Sequence, residues 1–130
     1  MEQETALLRS ILRQSRRSIR SITSVERHLQ DISLRSCLQL QREAYESIAN
    51  DASRFLRERG RAVPAFWNGF RFPGGFPPAL IDRRRRNSAA GLHSALNSVG
   101  QMQIVDPKVA ALNRRLLMVC RADAEQMNLL

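Results

Sequence analysis

The stretch FWNGFRFPGGFPPALIDRRRRNSAAG, Phe66 to Gly91, decides how this chain of 130 residues folds. Pro64, Pro73, Pro77 and Pro78, with Gly69, Gly74 and Gly75, do not allow a regular helix across residues 64–78, because proline lacks the amide hydrogen and glycine forfeits backbone entropy. A helix becomes possible only from about Ala79 or Asn87 to Met102, where Leu92, Leu96 and Val99 form a stripe weakened by Gly91 and Gly100. The expectation is a short, irregular third helix over about 87–102, preceded by an irregular Pro-, Gly- and Phe-rich segment at 61–86.

Both flanks read as helix. Upstream, Leu8, Ile11, Leu12, Ile19, Ile22, Val25 and Leu29 recur at three- and four-residue steps with arginines between them, which predicts an amphipathic helix of about seven turns over 4–30. Ser15 and Ser18 interrupt its stripe, a sign of close helix approach or of a polar layer. Asp31 and Ser33 then compete to cap a second helix over 33–59, whose stripe runs through Leu34, Cys37, Leu38, Leu40, Ala44, Ile48, Ala52, Phe55 and Leu56 and which stops at Gly60. Downstream, Asp106 before Pro107 is a strong start signal, since the missing proline N–H has no partner in a first turn anyway; Val109, Leu112, Leu116, Val119 and Met127 line the helix over 107–127. Three such stripes need a fourth element to cover them. Residues 1–130 therefore read as one all-α domain, an antiparallel up-down-up-down four-helix bundle. Hydrophobic residues at 43% exclude a wholly disordered chain, and aromatics at 5% speak against a β-sandwich.

Residues 5–60, ALLRSILRQSRRSIRSITSVERHLQDISLRSCLQLQREAYESIANDASRFLRERG with the threonine before them, are similar to the first helical hairpin of a family of short, uncharacterised bacterial proteins built as ferritin-like four-helix bundles. DPKVAALNRRLLMVCRADAEQMNLL, from Asp106, resembles their final helix. The resemblance implies a continuous amphipathic third helix, from which residues 66–100 depart. One account of the departure is a shift of reading frame, because Arg, Pro, Gly and Ala runs are what a GC-rich gene yields out of frame. Ferritin-like bundles that hold two metal ions take Glu from all four helices and a Glu-x-x-His pair on two of them. Glu43 and Glu46 stand three apart in EAYE, and Glu26 lies on the preceding helix, so these are the metal ligands the resemblance offers. No Glu-x-x-His occurs in the sequence, and the plainer reading is solvated surface acids offset by Arg42.

The net charge is +9, and 20 of the 21 basic residues are arginine, a usage that GC-rich coding produces as readily as function does. Residues 1–60 carry +3, residues 61–105 +5 and residues 106–130 +1, so more than half of the excess falls in the unusual middle. Arg83, Arg84, Arg85 and Arg86 are its sharpest feature. They read as a phosphate-contacting loop helped by stacking on Phe66, Trp67, Phe70, Phe72 and Phe76, or as a plain solvated charge run. His28 and His93 have no nucleophile or orienting acid in sequence, and no phosphate loop, dinucleotide fingerprint or Cys-x-x-Cys pair occurs.

Cys37 and Cys120 read as two buried reduced thiols; in an up-down-up-down bundle they sit ~13 Å apart along the axis, too far for a disulfide. The opening residues MEQETALLRS place two acids before the first Arg and contain no long apolar run, which predicts neither a signal peptide nor a membrane span and gives a cytoplasmic location as the expectation. The function expected is that of a non-enzymatic bundle without cofactor or small-molecule substrate. It acts by self-association as a homo-oligomer, or on a helical protein partner, because an incompletely closed core leaves a groove for an amphipathic helix. Nucleic-acid binding through Arg83 to Arg86 is the alternative, and a vestigial metal-binding bundle is the third reading.

Overall fold

The computed structural model describes residues 2–28, 30–66, 77–101 and 106–128. Four helices carry them: α1 (Glu2–Glu26), α2 (Ile32–Glu58), α3 (Pro77–Gln101) and α4 (Pro107–Asn128), with no strand among the described residues. The caps follow the sequence closely. Asp31 wins over Ser33 as the N-cap of α2, its Oδ1 accepting from the Leu34 amide at 3.0 Å. At the other end Gly60 takes φ 71°, and the amides of Gly60 and Arg61 donate to the carbonyls of Arg57 and Leu56, each at 2.9 Å. That pair of bonds closes the α2 C-terminus as a Schellman motif, for which glycine is the residue without a steric penalty. Asp106 caps α4 through the Lys108 amide at 2.9 Å, ahead of Pro107.

The third helix differs from expectation. It begins at Pro77, ten residues before the predicted start, and runs for 25 residues, so it is neither short nor irregular. The reason lies at its first two positions. Pro77 and Pro78 stand in the opening turn, where no amide hydrogen is needed, and the arginines that follow are good helix formers. Proline therefore starts this helix instead of breaking it. Gly91 is tolerated because α1 closes on it: a Cβ there would meet the Gln14 side-chain nitrogen at 3.0 Å.

Cross-helix contacts give the directions. Along α1 and α2, Arg59 meets Glu4 and Arg42 meets Glu26; along α2 and α4, Gln41 meets Gln126, Tyr45 meets Asp123 and Asp51 meets Arg115. On α3 and α4, Arg85 meets Met127 and Arg84 meets Asp123. The α1/α2 and α2/α4 contacts run in opposite senses, and so does α3 against α4, since Gln14 brings Gly91 level with Cys120 while Arg84 meets Asp123; α1 and α4 start at the same end, where the Asp106 amide donates to Glu4 Oε1 at 3.1 Å. The expected up-down-up-down order is thus corrected: α1 and α4 run one way, α2 and α3 the other. α2 ends at the bundle end where α1 and α4 start, α3 begins at the other, and α2 and α3 occupy opposite corners with no backbone approach among the described residues. Eighteen residues separate Glu58 from Pro77, and an extended chain of that length reaches roughly 60 Å, ample for a helix of ~40 Å.

The core is apolar at both ends and polar in its middle. Leu7, Leu8, Ile11, Leu12, Ile19, Ile22 and Val25 of α1 pack on Leu38, Ile48, Ala52 and Leu56 of α2 and on Val109, Leu112, Leu116 and Met127 of α4. Leu40, expected in the α2 stripe, is 68% exposed, because the buried line runs through Leu38, Gln41 and Tyr45. Cys37 is half-buried and Cys120 buried, and both are free. Their expected separation rested on helices two and four starting at one end, which they do not. Cys120 instead lies level with Tyr45, eight residues along α2 from Cys37, ~12 Å away on the axis. At the common end of α1, α2 and α4, Arg59 Nη2 donates to Glu4 Oε2 and to Asp106 Oδ2, both at 2.9 Å, and ties three chain segments together.

Ile22→Ala removes a fully buried side chain and should lower the unfolding free energy by about 2–5 kcal/mol in a denaturant titration, whereas Leu40→Ala should stay within about 0.5 kcal/mol of the parent.

Candidate functional site

Two assemblies of polar side chains stand out. The first is in the core. Arg84 has no exposed surface, and its Nη2 pairs with Asp123 Oδ2 at 2.5 Å, also with no exposed surface. The same nitrogen donates to Gln41 Oε1 at 3.3 Å, and Nη1 donates to Asn87 Oδ1 at 3.1 Å. The Tyr45 hydroxyl donates to Asp123 Oδ2 at 2.7 Å and lies 3.8 Å from Cys120 Sγ. Gln14 of α1 completes the chain, its Nε2 donating to Cys120 Sγ at 3.2 Å and to the Gly91 carbonyl at 2.6 Å. One network thus reaches all four helices.

Its electrostatics are those of a structural unit. Burial pushes the Tyr45 hydroxyl far above its ordinary value, and Asp123 adds to the effect by repelling a phenolate. Burial likewise raises the Cys120 thiol to about 11, the nearby Tyr45 bond opposing and Asp123 reinforcing the rise. A thiol so placed stays protonated at neutral pH and is no nucleophile. Asp123 Oδ1 and Arg84 Nε find no protein hydrogen-bond partner, so the ion pair does not recover all that its desolvation costs.

The second assembly is on the surface of α1. Arg9, Arg13, Arg16 and Arg20 follow one another at steps of four, three and four, which lines them along one face, with Arg17 beside them. All five line a groove of about 590 Å³ closed on its other side by Ala62, Pro64 and Ala65. No carboxylate lines it. Arg16 Nη1 donates to the Pro64 carbonyl at 2.7 Å, and the guanidinium carbons of Arg16 and Arg20 lie 5.2 and 5.1 Å from the centre of the Phe66 ring. These contacts hold the segment after α2 against α1. Burial and the like charges of Arg20 and Arg57 depress the Arg16 pKa below its ordinary value. Arg9, Arg13 and Arg17 have no acidic partner among the described residues.

The residues singled out from sequence fall elsewhere. Arg83 to Arg86 are on a helix and not in a loop, so they point in different directions: Arg84 into the core, Arg83 and Arg86 outward, and Arg85 onto the Met127 carbonyl at 3.1 Å and Asp82 at 3.4 Å. A guanidinium without exposed surface has no access to a phosphate. Of the proposed stacking aromatics, Phe66 already carries two arginines, while Trp67, Phe70, Phe72 and Phe76 lie outside the described residues. Glu26 pairs with Arg42 at 3.5 Å, Glu43 accepts from Gln39 at 3.3 Å, and Glu43 and Glu46 are exposed. Among the described residues no three His, Cys, Asp or Glu side chains gather where they could hold a metal ion. Sequence reasoning missed the core network, although a signal was present: Asp123 sits in the buried series 116, 120, 123, 127, and Arg84 in the series 84, 88, 91, 95.

Asp123→Ala leaves Arg84 charged and alone in the core and should cost about 3–5 kcal/mol by chemical denaturation, while the double replacement Arg84→Met with Asp123→Leu should come close to the parent or exceed it. The raised Cys120 value also sets an alkaline limit. The unfolded thiol releases its proton near 9.0 and the folded one only near 11, so stability present below pH 9.0 should fall as the pH rises toward 11. Tyr45 acts in the same direction above its ordinary value of 10.0, and Cys120→Ala should flatten the earlier part of the decline.

No family model, no curated protein and no solved structure matches this chain, so both assemblies are read from their own chemistry.

Proposed function

We propose that the chain binds nucleic acid by its phosphates, through the arginine face of α1, acting by binding and not by catalysis. The observation that carries this reading is the groove with five arginines and no carboxylate, in which Arg16 is crowded by Arg20 and Arg57. Like charges on neighbouring turns destabilise a helix, and a polyanion laid along them turns that repulsion into attraction. Arginine suits phosphate because its planar donors bond two oxygens at once. From Arg9 to Arg20 the face runs ~16 Å, which matches about five phosphates of one strand at the roughly 3.4 Å rise of a duplex.

The competing anionic surface is a membrane. A helix that lies on lipid needs an exposed apolar face beside its basic one. The apolar face of α1 is spent on the core, where Leu8, Ile11, Leu12, Ile19 and Ile22 are all buried. Nor is any described helix long and apolar enough to cross a membrane. Self-association through an open groove loses its ground, since α3 runs the full bundle length and packs on both α1 and α4. Ile32, Leu40, Leu96 and Met118 are exposed, but single apolar side chains are ordinary on a protein surface. Within this reading the bundle is of the ferritin-like kind, which joins two antiparallel pairs by one long crossover, and the 18 residues between Glu58 and Pro77 are long enough to supply it.

Titrating a fluorescent single strand with the protein at rising salt should give a straight plot of log affinity against log salt with a slope of about −3 to −4, and Arg9→Gln or Arg20→Gln should each lessen that slope by about one. A flat plot, or binding to anionic vesicles in its place, overturns the proposal.

A further inference from the structure

A second, smaller cavity lies between α1 and α3, with a volume of about 170 Å³. It is lined by Arg13 and Arg17 from one side of the groove already described, by Ser10 and Ser18 of the same helix, and by Asn87 and Gly91 of α3. We propose that it seats a phosphate-class oxyanion, a ligand distinct from the strand on the outer face of α1.

Three features carry this. Arg13 and Arg17 stand one turn apart, so their guanidinium groups can converge on one ligand, and neither has an acidic partner among the described residues. The α3 side presents a donor as well. The Asn87 carbonyl oxygen already accepts from Arg84 Nη1 at 3.1 Å, which fixes the amide and leaves its NH2 group as the free end. Third, α3 lines the cavity with Ala90, a small exposed residue that projects no long side chain into it. Two cations, an amide NH2 and two hydroxyls make a site rich in donors and without a carboxylate, which suits an oxyanion and repels a metal cation. The buried pair is linked to it: Arg84, held by Asp123, orients Asn87, so the core network prepares one wall of the cavity.

The larger groove continues from the same two arginines past Leu12, Ala62 and Ala65, so a phosphate seated here could belong to an organic molecule whose apolar part lies in that groove. Free phosphate and a phosphomonoester share the chemistry of the seat, and the measurement separates them. Calorimetric titration of the intact protein with inorganic phosphate at constant ionic strength should show saturable one-to-one binding, which chloride does not reproduce. Phenyl phosphate binding more tightly than inorganic phosphate identifies an organic phosphate as the ligand, and equal binding identifies the free ion.

Arg17→Gln should weaken binding about tenfold or more, by loss of a charge-assisted hydrogen bond. Ala90→Glu should abolish it: Ala90 is exposed on α3 and lines the cavity, so the change places a carboxylate in the seat without touching the core. Arg9→Gln and Arg20→Gln, which line only the outer groove, should leave phosphate binding unchanged while they weaken strand binding. Absence of saturation through the millimolar range, or an Ala90→Glu variant that binds as the parent does, overturns the site. Strand binding that survives Ala90→Glu shows that the outer face stands by itself, so the two proposals fail separately.

Discussion

Placing Arg84 in the core is the constraint from which most of this structure follows. A guanidinium cannot stay there without a counter-charge, and the only carboxylate with no exposed surface opposite it among the described residues is Asp123. Once the two face each other, α3 and α4 are set in register, and Tyr45 and Gln41 bring α2 to the same point. Rotation of α3 by one residue, about 100°, would bury Arg85 with Ala89, Leu92 and Leu96, a more apolar line on paper. The observed rotation leaves Leu96 43% exposed and spends the face on Arg84, Ser88, Gly91 and Ala95. Small residues there let α1 come close, and one long arginine fills the middle of the bundle.

The long connection has a consequence of its own. Because α3 begins at the bundle end opposite to the one where α2 stops, α3 runs parallel to α2 and packs between α1 and α4. In a strict alternation α3 would lie beside α2. The crossover is what puts Asn87, Ala90 and Gly91 next to Arg13 and Arg17, and what carries Pro64 and Phe66 over Arg16 and Arg20. Both surfaces proposed to bind phosphate thus depend on topology more than on any single residue.

Much of the fold was legible in the sequence. The Asp31 cap, the Gly60 stop, the Asp106–Pro107 start and the stripes of α1, α2 and α4 are local signals, and local signals are what three- and four-residue spacing reports. The start of α3 was misread because proline was weighed as a breaker without asking whether it stood in a first turn. The direction of α3 was not legible at all, since loop length permits either a hairpin or a crossover. Arg84 reads in sequence as part of a phosphate-contacting loop or a solvated charge run, because ionisable residues are almost never fully buried unless paired, and its pairing with Asp123, 39 positions away, leaves no mark in a single sequence.

Four adjacent arginines draw the eye, yet a helix scatters adjacent residues around its axis, so Arg83 to Arg86 cannot act together on one ligand. The arginines of α1 are spread over 12 residues and look unremarkable, but steps of three and four bring them to one face. Arg42, Arg54, Arg59, Arg84, Arg85 and Arg115 each meet an acid, which spends their charge on the fold. Arg9, Arg13 and Arg17 meet none among the described residues, and the linker that packs on their neighbour Arg16 offers it a carbonyl and a ring in place of a carboxylate. Three arginines without an acidic partner among the described residues thus stand together beside two cavities, and a ligand that neutralises them gains from both.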